Sequence, residues 1–107
     1  MAAARLAAKP SAGLAVELQF RLGRVREQLG DAAGALKAYQ GAMASTDRDH
    51  PFRLSAVARC AALYEAKKDY ARAIIAYRDI MRNAEDPELV AAADGRISQL
   101  EAGARKR

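Results

Sequence analysis

The sequence is poor in the residues that bring reaction chemistry or covalent cross-links to a protein. Its 107 residues include one cysteine, one histidine, three prolines and no tryptophan. A lone cysteine cannot form an intramolecular disulfide, and Cys60 has no companion residues at metal-ligand spacing. With one histidine and no activated nucleophile, the sequence gives no basis for an active site. We therefore expect no catalytic residues, no metal site and no cofactor.

Long apolar runs are also missing, so the sequence predicts no membrane span. The alanine-rich start, from Ala2 to Ala8, is interrupted by Arg5 and is short for the core of a signal peptide. A cytosolic protein is the first expectation, with the periplasm or cell envelope as the alternative if an export signal precedes this fragment. The net charge of +5 includes three charges from the last three residues. The remaining chain is only weakly basic, which is little support for nucleic-acid binding.

Alanine is what the chain has in abundance, and it is the strongest helix former. About half of the residues are apolar, enough for one modest core in a single domain. Start and stop signals divide the chain into five helices, since Ser11, Asp31, Asp69 and Asp86 can each cap a helix and Pro51 suits a first turn. The segment from Ser45 to His50 is polar and is predicted to be a loop, with His50 solvated.

Apolar spacing assigns a face to each helix. The first helix carries one stripe at helical spacing, formed by Leu14, Leu18, Leu22, Val25 and Leu29. The fifth helix offers Val90, Ala93, Ile97 and Leu100 inward and a polar face outward. Such a helix suits the end of a repeat array, because one of its faces must meet water.

An internal repeat is the most informative feature of the sequence. The pattern of Leu22-Gly23, Gly30-Asp31, Ala35-Leu36, Tyr39 and Ala42-Met43 returns in large part 38 residues later. The second copy reads Cys60-Ala61, Lys68-Asp69, Ala73-Ile74, Tyr77 and Ile80-Met81. The sequence therefore predicts two copies of a helix–turn–helix unit.

These residues resemble the tetratricopeptide repeat (TPR) family, with Lys68 departing from the turn glycine of that family. The resemblance implies an all-α, right-handed α-solenoid of antiparallel helical hairpins in one domain over residues 1–107. Residues 1–10 would be the remnant of a preceding helix or a tail, 11–46 and 51–84 the two repeats, and 86–104 a capping helix. It also implies close backbone contact at Gly23 and Ala35. The long period is similar to TPR proteins of the bacterial cell envelope.

The resemblance further implies a non-catalytic scaffold or adaptor that holds a peptide or helix of a partner protein in a groove along the first helix of each hairpin. Arg21, Arg59 and Arg96 fall at equivalent repeat positions and would form a ladder suited to carboxylates of an acidic partner. Changing these three arginines and Arg24 to glutamate is expected to abolish binding with little change in melting temperature. The partner-binding residues predicted from the sequence are Arg21, Arg24, Arg59, Arg96, Phe20 and Glu27.

Several alternatives remain open at this level. Phe20 is either an exposed anchor for a ligand or a residue packed against a neighbouring helix. The apolar edge of the first helix, or Phe20, could mediate self-association into a homo-oligomer. RNA binding ranks last, because the repeat positions of the four tyrosines predict core or hairpin-interface roles rather than base-stacking platforms. Cys60 is predicted to be a small buried hydrophobic residue.

Overall fold

The structure is a computed structural model that describes residues 12–105. This range contains five α-helices and no strand: α1 (Ala12–Gln28), α2 (Ala32–Met43), α3 (Pro51–Ala66), α4 (Tyr70–Asn83) and α5 (Pro87–Arg105). The all-α class predicted from the sequence is confirmed. The predicted helix remnant or tail over residues 1–10 and the last two basic residues lie outside the described residues.

The turn between α3 and α4 has nearly the same conformation and capping as the turn between α1 and α2. In the first turn, Gly30 takes a left-handed conformation with φ of 81°, and the Asp31 side chain accepts a hydrogen bond of 2.9 Å from the Gly34 backbone N–H. In the second turn, Lys68 is left-handed with φ of 61°. The Asp69 side chain then accepts from the Arg72 N–H at 3.3 Å. The predicted aspartate caps are therefore both present.

The start of α3 differs from the expectation of a solvated His50. The Nδ1 atom of His50 accepts a hydrogen bond of 3.1 Å from the Phe52 backbone N–H, so His50 is the N-cap of the helix. Its ring also lies 6.0 Å from the Phe52 ring. An imidazole nitrogen can replace the usual oxygen acceptor at this position because the first N–H groups of a helix have no partner within it. At α5, Asp86 accepts from the Glu88 N–H at 3.0 Å, as the sequence predicts.

Each helix packs mainly against its neighbours along the chain, and α1 also contacts α3. The buried apolar residues form two clusters. The first joins α1, α2 and α3 through Val16, Ala35, Leu36, Tyr39, Ala42, Ala56 and Cys60. The second joins α3, α4 and α5 through Val57, Ala61, Ala76, Ile80 and Ala93. Met43 packs against both clusters, so the two halves of the protein share one continuous apolar interior.

A buried arginine ties the loop after α2 to the second hairpin. Arg53 is 1% exposed, and its guanidinium donates to both carboxylate oxygens of Asp79 at 2.9 and 2.6 Å. It also donates to the backbone carbonyls of Met43 and Arg48. Burial alone would raise the pKa of Asp79, but the bonds from Arg53 and Asn83 lower it. The buried Arg53 and the half-buried Asp79 have no buried side-chain nitrogen or oxygen without a hydrogen-bond partner, and the pair joins the loop after α2 to α4.

Candidate partner-binding groove

A carboxylate–tyrosine–arginine cluster links three helices of the first half. Glu27 of α1 accepts a hydrogen bond from the Tyr39 hydroxyl of α2. The Arg59 guanidinium of α3 donates to both oxygens of the same carboxylate, with 2.9 Å between Nε and Oε1. The bond from Arg59 lowers the pKa of Glu27, and burial together with Glu27 raises the pKa of Tyr39 to about 12. Glu27 is therefore ionised and Tyr39 protonated at neutral pH.

The same cluster recurs in the second half with Glu65, Tyr77 and Arg96. The Tyr77 hydroxyl of α4 donates to Glu65 of α3, and Arg96 of α5 donates from Nε to Oε1 of Glu65 at 3.0 Å. The bond from Arg96 lowers the pKa of Glu65. Burial and then Glu65 raise the pKa of Tyr77 to about 12. The first cluster connects α1 to α3, and the second connects α3 to α5 in the same way. The repeat seen in the sequence is therefore also present in the side-chain contacts.

The predicted arginines thus have different surroundings. Arg59 and Arg96 already hold carboxylates of their own chain. Arg24 lies 3.9 Å from Glu27, and its side chain is 45% exposed. Arg21 is 63% exposed, pairs with Glu17 at 2.8 Å and lies 5.6 Å from the centre of the Phe52 ring. The structure brings Glu27 together with Arg24 and Arg59, and places Arg21 beside the aromatic pair of Phe20 and Phe52.

Phe20 fills the space between α1 and α3, which is bounded by Tyr39 and Phe52 and is called the first slot below. Its ring centre lies 5.8 Å from that of Tyr39 and 5.5 Å from that of Phe52. Of the two alternatives for Phe20, the geometry favours the packed residue, since it is half-buried against the first core cluster. With Phe20 over it, Tyr39 is 0% exposed.

The corresponding slot between α3 and α5 is open. By the repeat offsets, Ala58 stands where Phe20 stands, Tyr77 corresponds to Tyr39 and Leu89 corresponds to Phe52. Ala58 carries only a methyl group at this position, and Tyr77 is half-buried where Tyr39 is fully buried. A cavity of about 240 Å³ lies here, lined by Ala58, Tyr77, Ile80, Leu89, Ala92, Ala93 and Arg96.

The spacing of the helices agrees with this difference. Cα atoms of α1 and α3 approach within 8 Å of each other. Within residues 12–105, no such approach joins α3 to α5. The first slot is therefore closed by neighbouring backbone and a phenyl ring, whereas the second is wider and has only a methyl group above its tyrosine.

One end of this opening is acidic. A second cavity of about 380 Å³ shares the lining residues Ala58 and Leu89 with the first, so the two adjoin each other. Its lining includes the carboxylates Asp49, Glu85 and Asp86 and no basic residue. Nearby, a hydrogen bond to Asp49 raises the pKa of Asp47. We name the two adjoining cavities the α3–α5 groove; its lining residues used below are Asp49, Ala58, Tyr77, Ile80, Glu85, Asp86, Leu89, Ala92 and Arg96.

A separate feature is the exposed apolar face of α1. The stripe predicted from helical spacing faces outward: Leu18, Leu22, Val25 and Leu29 are 56%, 41%, 49% and 78% exposed. By the repeat offsets, Leu18 corresponds to Ala56 and Ala93, and Leu22 corresponds to Cys60 and Ile97. Those four counterparts are buried, and Ala56, Cys60 and Ala93 cluster with residues of the preceding helices. The exposed face of α1 is thus the face that α3 and α5 use for packing. We name it the α1 apolar face.

Sequence reasoning missed Glu65 and the lining of the α3–α5 groove. The available signal was the repeat offset, which sets Ala58 against Phe20 and Glu65 against Glu27. Cys60 is buried, as predicted, and burial raises the pKa of its thiol to about 12. Among residues 12–105 no group of three or more His, Cys, Asp and Glu side chains could hold a metal ion. In the same range no helix is long and apolar enough to cross a membrane.

Comparison of the chain with protein-family models, with curated proteins and with solved structures gives no match. The likeness to the tetratricopeptide repeat family therefore depends on the residues quoted from the sequence.

Proposed function

We propose that the chain is a non-catalytic protein–protein interaction scaffold of the tetratricopeptide type, with its hairpins stacked as a right-handed α-solenoid. In this proposal it binds a peptide or helix of a partner protein in the α3–α5 groove. The observation that carries the proposal is the groove itself, an apolar opening with a few polar groups at its ends. Protein sites that hold ligands commonly have this composition.

The surroundings of the reactive residues support a non-catalytic role. Cys60 is buried with a raised thiol pKa, which leaves almost no thiolate at neutral pH. His50 uses Nδ1 to cap α3. Arg21 and Arg24 lie on α1 and do not line the α3–α5 groove, so we assign them no contact with a partner bound there. For Arg59 and Arg96 we propose a structural role, holding successive helices together through Glu27 and Glu65.

Ala92→Arg and Ala91→Arg form a matched pair that tests the groove. Both alanines are exposed on α5, but only Ala92 lines the groove. We expect a partner captured from a lysate of the source cells, and identified by mass spectrometry, to be retained by the wild type and by Ala91→Arg. It should be lost from Ala92→Arg, while circular dichroism shows equal helicity. If every captured protein treats the two variants alike, the groove is not the binding site.

A second candidate function is structural self-association through the α1 apolar face. The observation that favours it is the exposure of four large aliphatic side chains on one helix, since contiguous apolar patches on soluble proteins commonly mark interfaces. In this candidate the occupant of the face is a second copy of the chain. RNA binding remains the least favoured function, because the α3–α5 groove carries carboxylates at one end.

A further inference from the structure

We propose that the α3–α5 groove recognises an aromatic side chain of a partner peptide, with a lysine or arginine close to it in the same peptide. This inference rests on the proposed function and names the chemistry of the partner. It depends on a comparison of the two halves of the protein, on the size of the opening, and on the charge at its end.

The first slot shows what fits the second. In the first slot, the phenyl ring of Phe20 packs on Tyr39 and Phe52. The second slot has Tyr77 and Leu89 at the corresponding positions but only the methyl group of Ala58 in place of that ring. A partner's phenyl ring entering over Ala58 would meet the face of Tyr77 as Phe20 meets Tyr39. Tilted and offset contacts between aromatic rings are the favoured arrangement.

The opening is large enough for such a ring. Apolar cavities of about 150 Å³ bind benzene in proteins, and the cavity over Tyr77 measures about 240 Å³. Its walls are aliphatic, from Ile80, Leu89 and Ala92, and it opens to solvent where a peptide can approach. At the far side the guanidinium of Arg96 already bonds Glu65 and Gln99. An apolar ring therefore suits the slot better than a second charged group.

The negative charge at one end of the groove favours a basic residue next to the aromatic residue in the partner peptide. Asp49, Glu85 and Asp86 line the cavity that adjoins the slot across Ala58 and Leu89. A lysine or arginine of the peptide could reach these carboxylates while the aromatic side chain occupies the slot. The same carboxylates repel the phosphates of a nucleic acid, so a peptide is favoured over single-stranded RNA as the source of the ring.

Ala58→Phe is the decisive variant, because it places over Tyr77 the ring that Phe20 already places over Tyr39. We would pan a library of short random peptides, with acidic and basic members in equal supply, against the wild type and against Ala58→Phe. The wild type should enrich peptides with an aromatic residue near a lysine or arginine. Ala58→Phe should lose them, with its melting temperature maintained or raised.

Synthetic copies of an enriched peptide then test each part of the recognition. Replacing its aromatic residue with alanine should weaken binding at least about tenfold, as expected for the loss of a buried phenyl group. The Glu85→Lys variant should weaken binding about two- to fivefold at low salt, with a smaller loss at high salt. If Ala58→Phe fails to fold, amide shifts of the wild type on peptide addition decide the matter, since they should centre on Ala58, Tyr77, Leu89 and Ala92.

The outcomes separate this inference from the proposed function. Peptides that are enriched without aromatic residues, or that bind Ala58→Phe as well as the wild type, overturn the aromatic slot but leave groove binding in place if Ala92→Arg abolishes their binding. A wild type that enriches no peptide at all overturns the inference, whereas groove binding itself is decided by the comparison of Ala92→Arg with Ala91→Arg. Single-stranded RNA that shifts the same amides as strongly as the peptide would also overturn the inference.

Discussion

At the scale of single residues, the two turns offer an internal comparison of glycine with a side chain in the same backbone conformation. Gly30 and Lys68 precede the capping aspartates of α2 and α4, and both have positive φ. The left-handed region costs a residue with a Cβ atom roughly 1–2 kcal/mol. Glycine avoids that strain but loses more chain entropy on folding. Lys68 is therefore a local site of strain that the rest of the hairpin must outweigh.

We predict that Lys68→Gly stabilises the protein by roughly 0.5–1 kcal/mol, the relief of strain less the added entropy of the unfolded chain. Gly30→Ala should destabilise it by about 1 kcal/mol. Nothing lies within 4 Å of a Cβ atom added at Gly30, so the whole effect belongs to the backbone. Urea unfolding of the two variants measures both values. Two shifts of the same sign would show that φ does not control the stability of these turns.

Among single residues, the sequence alone was enough to predict the helix caps but not the contacts of Gly23. Asp31, Asp69 and Asp86 were predictable as caps because a cap bonds within three residues of itself. The sequence predicts close backbone contact between Gly23 and Ala35, but it does not reveal that the ring of Tyr39 lies against Gly23. A Cβ atom at Gly23 would lie 2.4 Å from Cε1 of Tyr39, so the glycine accommodates an aromatic ring. Periodicity requires a small residue there but does not identify the group that fills the space.

At the scale of helices, the two carboxylate–tyrosine–arginine clusters join elements that are distant in the chain. The repeat offset correctly placed Arg59 and Arg96 at equivalent positions, but it could not identify Glu27 and Glu65 as their partners. That pairing depends on how closely successive helices approach. It also changes the expected effect of charge reversal. Arg59→Glu would set a carboxylate beside Glu27, so we now expect a lower melting temperature.

We predict that Glu27→Gln lowers the stability by about 1–2 kcal/mol, because it weakens charge-assisted bonds to a partly exposed arginine. The pKa of Glu27 is lowered in the folded state from its ordinary value of 4.5. The unfolded chain therefore binds the proton first, and this stabilisation is present above pH 4.5 and lost as the pH falls through the folded pKa. The stability of Glu27→Gln should accordingly depend less on pH below 4.5 than that of the wild type.

Glu17→Gln is the control for this prediction. Glu17 pairs with Arg21 one turn away on the same helix, and the arginine is 63% exposed. Such a pair contributes at most about 0.5 kcal/mol. Thermal unfolding from pH 7 to pH 3 compares the three proteins. Equal losses for Glu17→Gln and Glu27→Gln would show that the cluster contributes no more than a surface ion pair.

At the scale of the whole molecule, the sequence identifies the apolar stripe of α1 but not whether that stripe faces the core or solvent. Helical spacing identifies a continuous stripe and cannot say what covers it. The corresponding faces of α3 and α5 pack against the helices before them, and small residues such as Ala56 and Ala93 allow close approach. On α1 the same positions hold larger aliphatic side chains. Among residues 12–105 no helix covers these side chains enough to bury them.

If a second copy of the chain covers this face, oligomeric state must depend on it. We predict that the wild type sediments as a dimer or larger species at high concentration, and that Leu22→Glu shifts it to monomer by setting a charge at the centre of the stripe. Ile75→Glu is the matched control, since Ile75 is an aliphatic residue of α4 that is 65% exposed on a different helix. It should leave the association unchanged. Both positions are exposed, so neither variant removes a core contact, and circular dichroism should be unaltered. A wild type that stays monomeric at high concentration, or equal behaviour of the two variants, removes self-association through α1 and leaves the α3–α5 groove as the only proposed interaction surface.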